Sequence, residues 1–283
     1  MTRDGVGLRT GLNFVWPMKL LFSEVQPDYA RYLYPYVIWG LPEPGETPAD
    51  FFESGFLPGS PALNRFYLCR QLRVPLAGFA GSSENRRILN RGAGLEFTLE
   101  ERTQFDYSPA RKASWLAFAH ERFGPEVMSE TRLDTLMSSP VVSHLLVCRD
   151  PATQLDAGVA LLYLEPPRIA FYYYAFYDLN LRARNLGMLL MTSAVTRFAT
   201  QGFGHVHLGT CYSEEALYKA QFRGVQFFNG FEWSTSLKEL RYLLRREHGQ
   251  HHLLAEPDFQ AMHGGLESIG TRTGFGVRPA RLR

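Results

Sequence analysis

The sequence predicts a mixed α/β fold (α+β in its ordering): a mostly antiparallel sheet flanked by helices and splayed where one long helix joins it, with a smaller N-terminal α/β part. Three observations predict it. Residues 142–150, 157–165 and 168–178 are β-rich runs separated by Asp, Pro or Gly turns, the pattern of an antiparallel meander. The strongest helical pattern of the chain, 182–202, follows at once. A short buried strand (205–210), a short helix (213–224) and a strand pair around Asn229-Gly230 then alternate.

Earlier elements follow from local signals. Residues 35–50 hold four prolines and two glycines and read as a loop. Asp50 is placed to cap a short helix that Gly55 ends. Residues 66–76 alternate as one strand with Pro75 near its end. Ser82 or Ser83 caps a helix that stops at Gly92. Residues 95–102 alternate cleanly as a strand. Residues 109–123 form a helix with Trp115, Phe118 and Ala119 on one face, and 130–139 a shorter one. After the strand pair, 236–249 is an amphipathic helix with Leu237, Leu240, Leu243 and Leu244 inward. Residues 249–283 are Gly- and Arg-rich and are expected to be loosely ordered.

Composition narrows the class. The chain has 283 residues, 45% hydrophobic and 14% aromatic, enough for one large core or two small ones sharing it. A formal net charge of +2 means that a nucleic-acid partner would need a local basic patch. Three scattered cysteines suggest neither a disulfide framework nor a zinc site. The first residues lack a signal-peptide apolar region and no run reaches transmembrane length, so a cytoplasmic protein without a membrane partner is expected.

Residues 171–233 carry a resemblance. Phe176-Tyr177-Asp178 ends a strand, Asn185-Leu186-Gly187 starts a helix, and Leu208-Gly209 ends the next strand. Glu215 to Arg223 then includes Tyr218-Lys219-Ala220-Gln221-Phe222-Arg223, and Trp233 lies beyond it. Further back, Phe52 to Phe56, Arg73-Val74-Pro75-Leu76 and Ser82 to Arg91 fit more weakly. Together these resemble the N-end-rule aminoacyl-tRNA–protein transferases, the arginyl and leucyl transferases, over roughly residues 50–235, with a GNAT-like C-terminal half. Two departures mark a divergent member. Only Cys69 stands where the family has a cysteine-rich stretch, and Gly224 replaces the proline after Phe-Arg. The resemblance implies an N-terminal transferase-like region (1–104), a GNAT-like catalytic domain (105–247) and a loose tail (248–283).

The implied chemistry transfers an amino acid, arginine or leucine, from its tRNA ester to an amine on a protein N-terminus or a small metabolite. Aminoacyl-tRNA is then a co-substrate, and no cofactor or metal is needed. Such an enzyme must hold the ester beside a neutral amine, stabilise the oxyanion and move one proton. Tyr218 is the expected proton donor, or else a core aromatic. Asp178 is expected to hold the α-ammonium or a cationic side chain of the aminoacyl group, or else to be an ordinary turn residue. Lys219 and Arg223, four apart on one expected helical face, suit tRNA phosphates or the terminal adenosine. Arg86, Arg87 and Arg91 on one short helix suit phosphates too. The stripe Tyr172, Tyr174 and Phe176 is placed to stack on adenine or to fill the sheet.

Arg184-x-x-Gly187 is half of the loop that cradles the pyrophosphate of acyl-CoA, with Leu189 expected to crowd the approach. An acyl-CoA-dependent N-acyltransferase is therefore the second reading, and a non-catalytic RNA- or protein-binding relic the third. His205 and His207 share a strand face and read as sheet histidines rather than metal ligands.

Overall fold

The structure, a computed structural model, describes residues 18–24, 36–246 and 253–273. The opening residues read above for a targeting signal, and the Arg-rich stretch beyond 273, lie outside them. The strands are β1 (Lys19–Glu24), β2 (Tyr36–Leu41), β3 (Phe56–Pro58), β4 (Phe66–Leu68), β5 (Gln71–Pro75), β6 (Glu96–Glu101), β7 (His144–Asp150), β8 (Leu155–Glu165), β9 (Ile169–Tyr177), β10 (His205–Thr210), β11 (Gln226–Phe228) and β12 (Trp233–Ser234). The α-helices are α1 (Pro48–Glu53), α2 (Ser83–Arg91), α3 (Pro109–Phe123), α4 (Glu130–Ser138), α5 (Leu186–Thr200), α6 (Leu237–Arg245), α7 (Pro257–Met262) and α8 (Leu266–Thr273).

The large sheet has the order β12-β11-β5-β10-β9-β8-β7-β6 and a small sheet the order β1-β2-β4-β3. Within the large sheet only the pair β9–β10 is parallel, bridged by α5, so the expected mixed, mostly antiparallel α/β sheet flanked by helices is present. Its central strands are covered on both faces, which is why β8 is buried almost continuously instead of alternating. Leu146, Ala160, Leu162 and Tyr172 meet Leu189, Leu190, Ala194 and Phe198 of α5. Leu145, Val147, Leu161 and Phe176 meet Trp115, Phe118 and Leu133 of α3 and α4. Trp115 lies flat on Phe176, with ring centroids 5.2 Å apart. Each such fully buried side chain contributes about 1.5–3 kcal/mol.

β9 and β10 pair only at His205↔Ile169, Val206↔Ala170 and His207↔Phe171, and part beyond that. Both strands carry an irregularity at this point. Tyr173 is the extra residue of β9 against Leu161 and Leu162 of β8. Leu208 is the extra residue of β10 against Leu72 and Arg73 of β5, followed by Gly209 at φ +80°. A bulge bends its strand and increases twist, so two facing bulges drive the strands apart. The bulge also corrects the aromatic stripe. Tyr172 packs on the α5 face, whereas Tyr174 and Phe176 pack on the opposite one.

Several boundaries differ from the sequence reading. Residues 36–41, within the expected loop, are a strand of the small sheet, and residues 19–24, for which the sequence predicts no element, are its partner. Thr47, not Asp50, is the N-cap of α1, because Asp50 sits at N3 and closes a capping box. The expected strand 66–76 breaks at Cys69–Arg70 into β4 and β5, which belong to different sheets. The expected division at 104 runs through the large sheet, since β5 and β6 lie in it.

The part of the expected loose tail that is described, 253–273, is helical, with Phe259 and Ile269 in the main core. A buried clasp holds it. The Glu239 carboxylate, 2% exposed, accepts from Asn229 Nδ2 (2.9 Å), Ser234 Oγ (2.6 Å) and His263 Nε2 (2.9 Å). Arg272 Nη2 donates to His263 Nδ1 (2.8 Å), which leaves the ring proton on Nε2.

Candidate active site

On the α5 face of the parting, Tyr218 stands on a 3-10 turn, Glu214–Gln221. It is 49% exposed, and Tyr172, Tyr177, Cys211 and Arg122 lie within electrostatic reach of its hydroxyl. Partial burial pushes that hydroxyl above the ordinary tyrosine value, so it stays protonated and can donate. Lys219 Nζ donates to the carbonyl of Thr210 at the end of β10 (3.0 Å), and burial lowers its pKa. Cys211 is buried, and burial raises its thiol. The expected helical face shared by Lys219 and Arg223 does not exist. The turn is 3-10 and the chain is already extended at Phe222, so Lys219 turns toward β10 while Arg223 is exposed beyond it. Arg223 and Arg241 instead line a groove of about 620 Å³ with Leu217 and Phe222. Neither has an ion-pair partner among the described residues.

Asp178 lies at the N-terminal end of α5. Its Oδ1 accepts from Asn180 N (2.8 Å) and Asn180 Nδ2 (2.9 Å), the pattern of an Asx turn. With Arg122, Tyr177 and Gly187 it also lines a polar pocket of about 300 Å³. Tyr177 links this pocket to Tyr218. A Cβ built on Gly187 would stand 2.9 Å from the Tyr177 hydroxyl, so only glycine leaves room for that ring against the first turn of α5.

The basic residues divide. Arg86, Arg87 and Arg91 do share α2. Arg87, however, is paired with Glu84 through Nη2–Oε1 (2.6 Å), and Arg86 Nη1 reaches the Gly81 carbonyl (3.2 Å). Arg91 is half-buried. Arg184 reaches the Ala93 carbonyl beyond α2 at 3.5 Å. Leu189 does not crowd the approach to α5: it is 1% exposed, and its methyls stand 2.8 Å from a Cβ built on Gly92. The steric argument against acyl-CoA therefore falls.

Tyr174 lies on the other face of the sheet. Its ring is 4.7 Å from that of Tyr173, and its hydroxyl accepts from Arg132 Nη2 (3.1 Å). These residues line a groove of about 810 Å³ between the small sheet and α4. His205 and His207 lie on this side too. His207 Nδ1 contacts Gln71 Oε1 (2.9 Å), and its ring packs on Phe52 and Trp233. Burial pushes His205 down to about 4 and His207 well below its ordinary value, with Arg73 adding to both. No group of three potential metal ligands occurs among the described residues.

The structure thus brings Tyr218, Lys219 and Asp178 toward one end of α5 and leaves Tyr174 on the opposite face. The sequence gives no sign of Arg122, Arg132 or Arg241, and it marks Tyr177 only as part of the Phe176-Tyr177-Asp178 strand end. Tyr177 was legible as the neighbour of Asp178, but the three arginines carry no local signal.

No family model matches the chain. It is similar to the aspartate/glutamate leucyltransferase of Gluconacetobacter diazotrophicus, 27% identical over 202 residues that cover 66% of this chain and 72% of that one. The enzyme of the same description from Phenylobacterium zucineum is 26% identical over 206 residues, covering 69% and 79%. Among solved structures, FemX covers 63% of this chain and 64% of its own, with 11% identity and a TM-score of 0.43. A tandem GNAT protein from the clavulanic acid biosynthesis pathway covers 53% and 46%, with 15% identity and a TM-score of 0.34. The chain is therefore similar, over about two thirds of its length, to proteins described as aspartate/glutamate leucyltransferases.

Proposed function

We propose that this chain is an aminoacyl-tRNA-dependent aminoacyltransferase that moves leucine from its tRNA ester to the α-amine of a protein. The similarity to leucyltransferases carries the reading. The parted strands β9 and β10, with the protonated Tyr218 hydroxyl beside them, support it. The amine nitrogen attacks the ester carbonyl, the carbon–oxygen bond to the terminal ribose breaks, and an amide bond forms. The amine loses one proton as the departing ribose oxygen gains one. Tyr218 is placed to pass that proton. Lys219, held on the Thr210 carbonyl, supplies positive charge near the developing oxyanion. Arg223 and Arg241 face the tRNA backbone, with Arg86, Arg91 and Arg184 as a second phosphate contact. Asp178, next to Tyr177, receives the α-ammonium of the aminoacyl group.

No cofactor beyond aminoacyl-tRNA enters this scheme. The place of action is the cytoplasm, where charged tRNA is made, and no helix of the described residues is long and apolar enough to cross a membrane. The test is transfer of labelled leucine from leucyl-tRNA to peptides, with acetyl-CoA as the competing donor. Acylation from acetyl-CoA and none from leucyl-tRNA would overturn the reading.

A further inference from the structure

The rim of the β9–β10 gap carries a second exposed phenol. Beyond His207, β10 has no partner on the β9 side, and the chain runs on through Thr210, Cys211 and Tyr212 along the open edge. The Tyr212 ring is 51% exposed, yet it is pinned. Arg70 N donates to its hydroxyl (2.8 Å), and Cys211 N donates to the Arg70 carbonyl (2.8 Å). Burial raises the pKa of that hydroxyl, so the side chain is tucked in at its tip and open along its ring.

A cation stands beside the ring. The Arg70 guanidinium lies 5.2 Å from the ring centre. Flat contact would be about 3.5–4 Å, so ring surface stays uncovered. The guanidinium has no carboxylate or carbonyl partner among the described residues, and its Nη1 is buried without an acceptor. An unmatched donor of this kind costs about 1–3 kcal/mol until something accepts from it. Glu239 is within electrostatic reach, but Asn229, Ser234 and His263 already engage its oxygens. Lys219, held on the Thr210 carbonyl (3.0 Å), adds positive charge to the same rim.

We infer that this rim receives the 3′-terminal nucleotide of the donor tRNA, its base stacked on Tyr212 and its phosphate on Arg70. The assignment deepens the leucyl-transfer reading above and rests on it. A nucleotide matches both features at once, since it joins a flat π-face to an anion. The same nucleotide carries the ester on its ribose. Cys211, the neighbour of Tyr212, is within electrostatic reach of Tyr218, so a ribose bound here lies between the stacking ring and the proton donor. Tyr174, on the other face and bonded to Arg132, then takes no part in stacking on adenine.

The experiment uses the full chain and two uncharged tRNAs, one intact and one lacking only its terminal adenosine nucleotide. Calorimetry on the wild type is expected to show a preference for the intact tRNA of about 10-fold or more, the scale of one base–aromatic stack. Tyr212→Ala is expected to bring that ratio to about 1, and Tyr212→Trp, which keeps a stacking face, to retain it. Each ratio is taken on one preparation, so any loss of folded protein cancels. Arg70→Gln is expected to lower the slope of log affinity against log salt by about 1 with the intact tRNA, and to leave it unchanged with the shortened one. A wild type that binds both tRNAs equally overturns the assignment, as does an unchanged ratio in Tyr212→Ala. Equal slope changes with both tRNAs remove Arg70 from the site.

Leucine transfer from labelled leucyl-tRNA gives the second measurement. A terminal-adenosine preference that Tyr212→Ala abolishes, without any leucine transfer, overturns the donor reading and leaves the nucleotide site standing. Transfer by Tyr212→Ala at the wild-type kcat/KM overturns the nucleotide site and leaves the donor reading standing.

Discussion

The two faces of the sheet around the β9–β10 gap are built from different materials. The α5 face presents a half-exposed phenol, a desolvated lysine and the start of a long helix. The opposite face presents aromatic rings, prolines and one anchored arginine. The first set is suited to moving a proton and steadying negative charge, whereas the second offers apolar rings around one exposed cation. A single bulge at Tyr173 produces the difference, because it sends Tyr172 and Tyr174 to opposite sides although they stand two positions apart, a spacing that puts strand residues on one side.

The largest expected effect tests the chemical role of the α5 face. Tyr218→Phe should lower kcat by about 10²-fold, the scale of a positioned acid, with little change in thermal stability. Full activity in this variant would leave positioning as the whole of catalysis. The next effect separates the free cations of that face from the paired ones of α2. Arg223→Ala should reduce the slope of log affinity for tRNA against log salt by about 1, and Arg87→Ala, which also frees Glu84, should change it less. Equal changes would remove the distinction.

The histidine side should respond to acid. The folded-state pKa of His205 lies at about 4, below its ordinary 6.5, and that of His207 lies well below 6.5. The unfolded chain therefore binds more protons, so these groups favour folding above pH 6.5 and lose that contribution as pH falls toward 4. Urea midpoints should drop across this window, and His207→Gln should drop less steeply. A parallel fall in both proteins would contradict the assignment.

The smallest effect is expected at Tyr172→Phe. The Tyr172 hydroxyl is buried without a hydrogen-bond partner, so its removal should leave activity within about 2-fold and stability equal or higher. A loss as large as that of Tyr218→Phe would bring Tyr172 into the chemistry.

Much of this arrangement is legible in the sequence, and the limits have physical causes. The meander, the long helix and the strand pair follow from periodicity, and Ser82 and Gly92 bound α2 as their chemistry requires. Periodicity fails where a bulge inserts one residue, so the stripe from Tyr172 to Phe176 reads as one face and is two. It also fails between Cys69 and Arg70, where the chain passes from one sheet to another while alternation continues. The 3-10 turn under Tyr218 has helical composition, and only its packing against β10 distinguishes it. Arg132 gains its place from the Val127 carbonyl five residues back and from the distant Tyr174 hydroxyl, and no local pattern encodes the second contact.

The buried clasp between Glu239 and His263 has a consequence for how the protein is made. Glu239 precedes His263 by 24 residues, so it emerges from the ribosome before the partner that completes its hydrogen bonding. Until that partner arrives, a carboxylate placed among Leu240, Leu243 and Asn229 lacks one donor, at a cost of about 1–3 kcal/mol. A chain cut short before His263 leaves the Glu239 carboxylate short of that donor beside β12, and limited proteolysis is expected to cleave it there faster than the full chain.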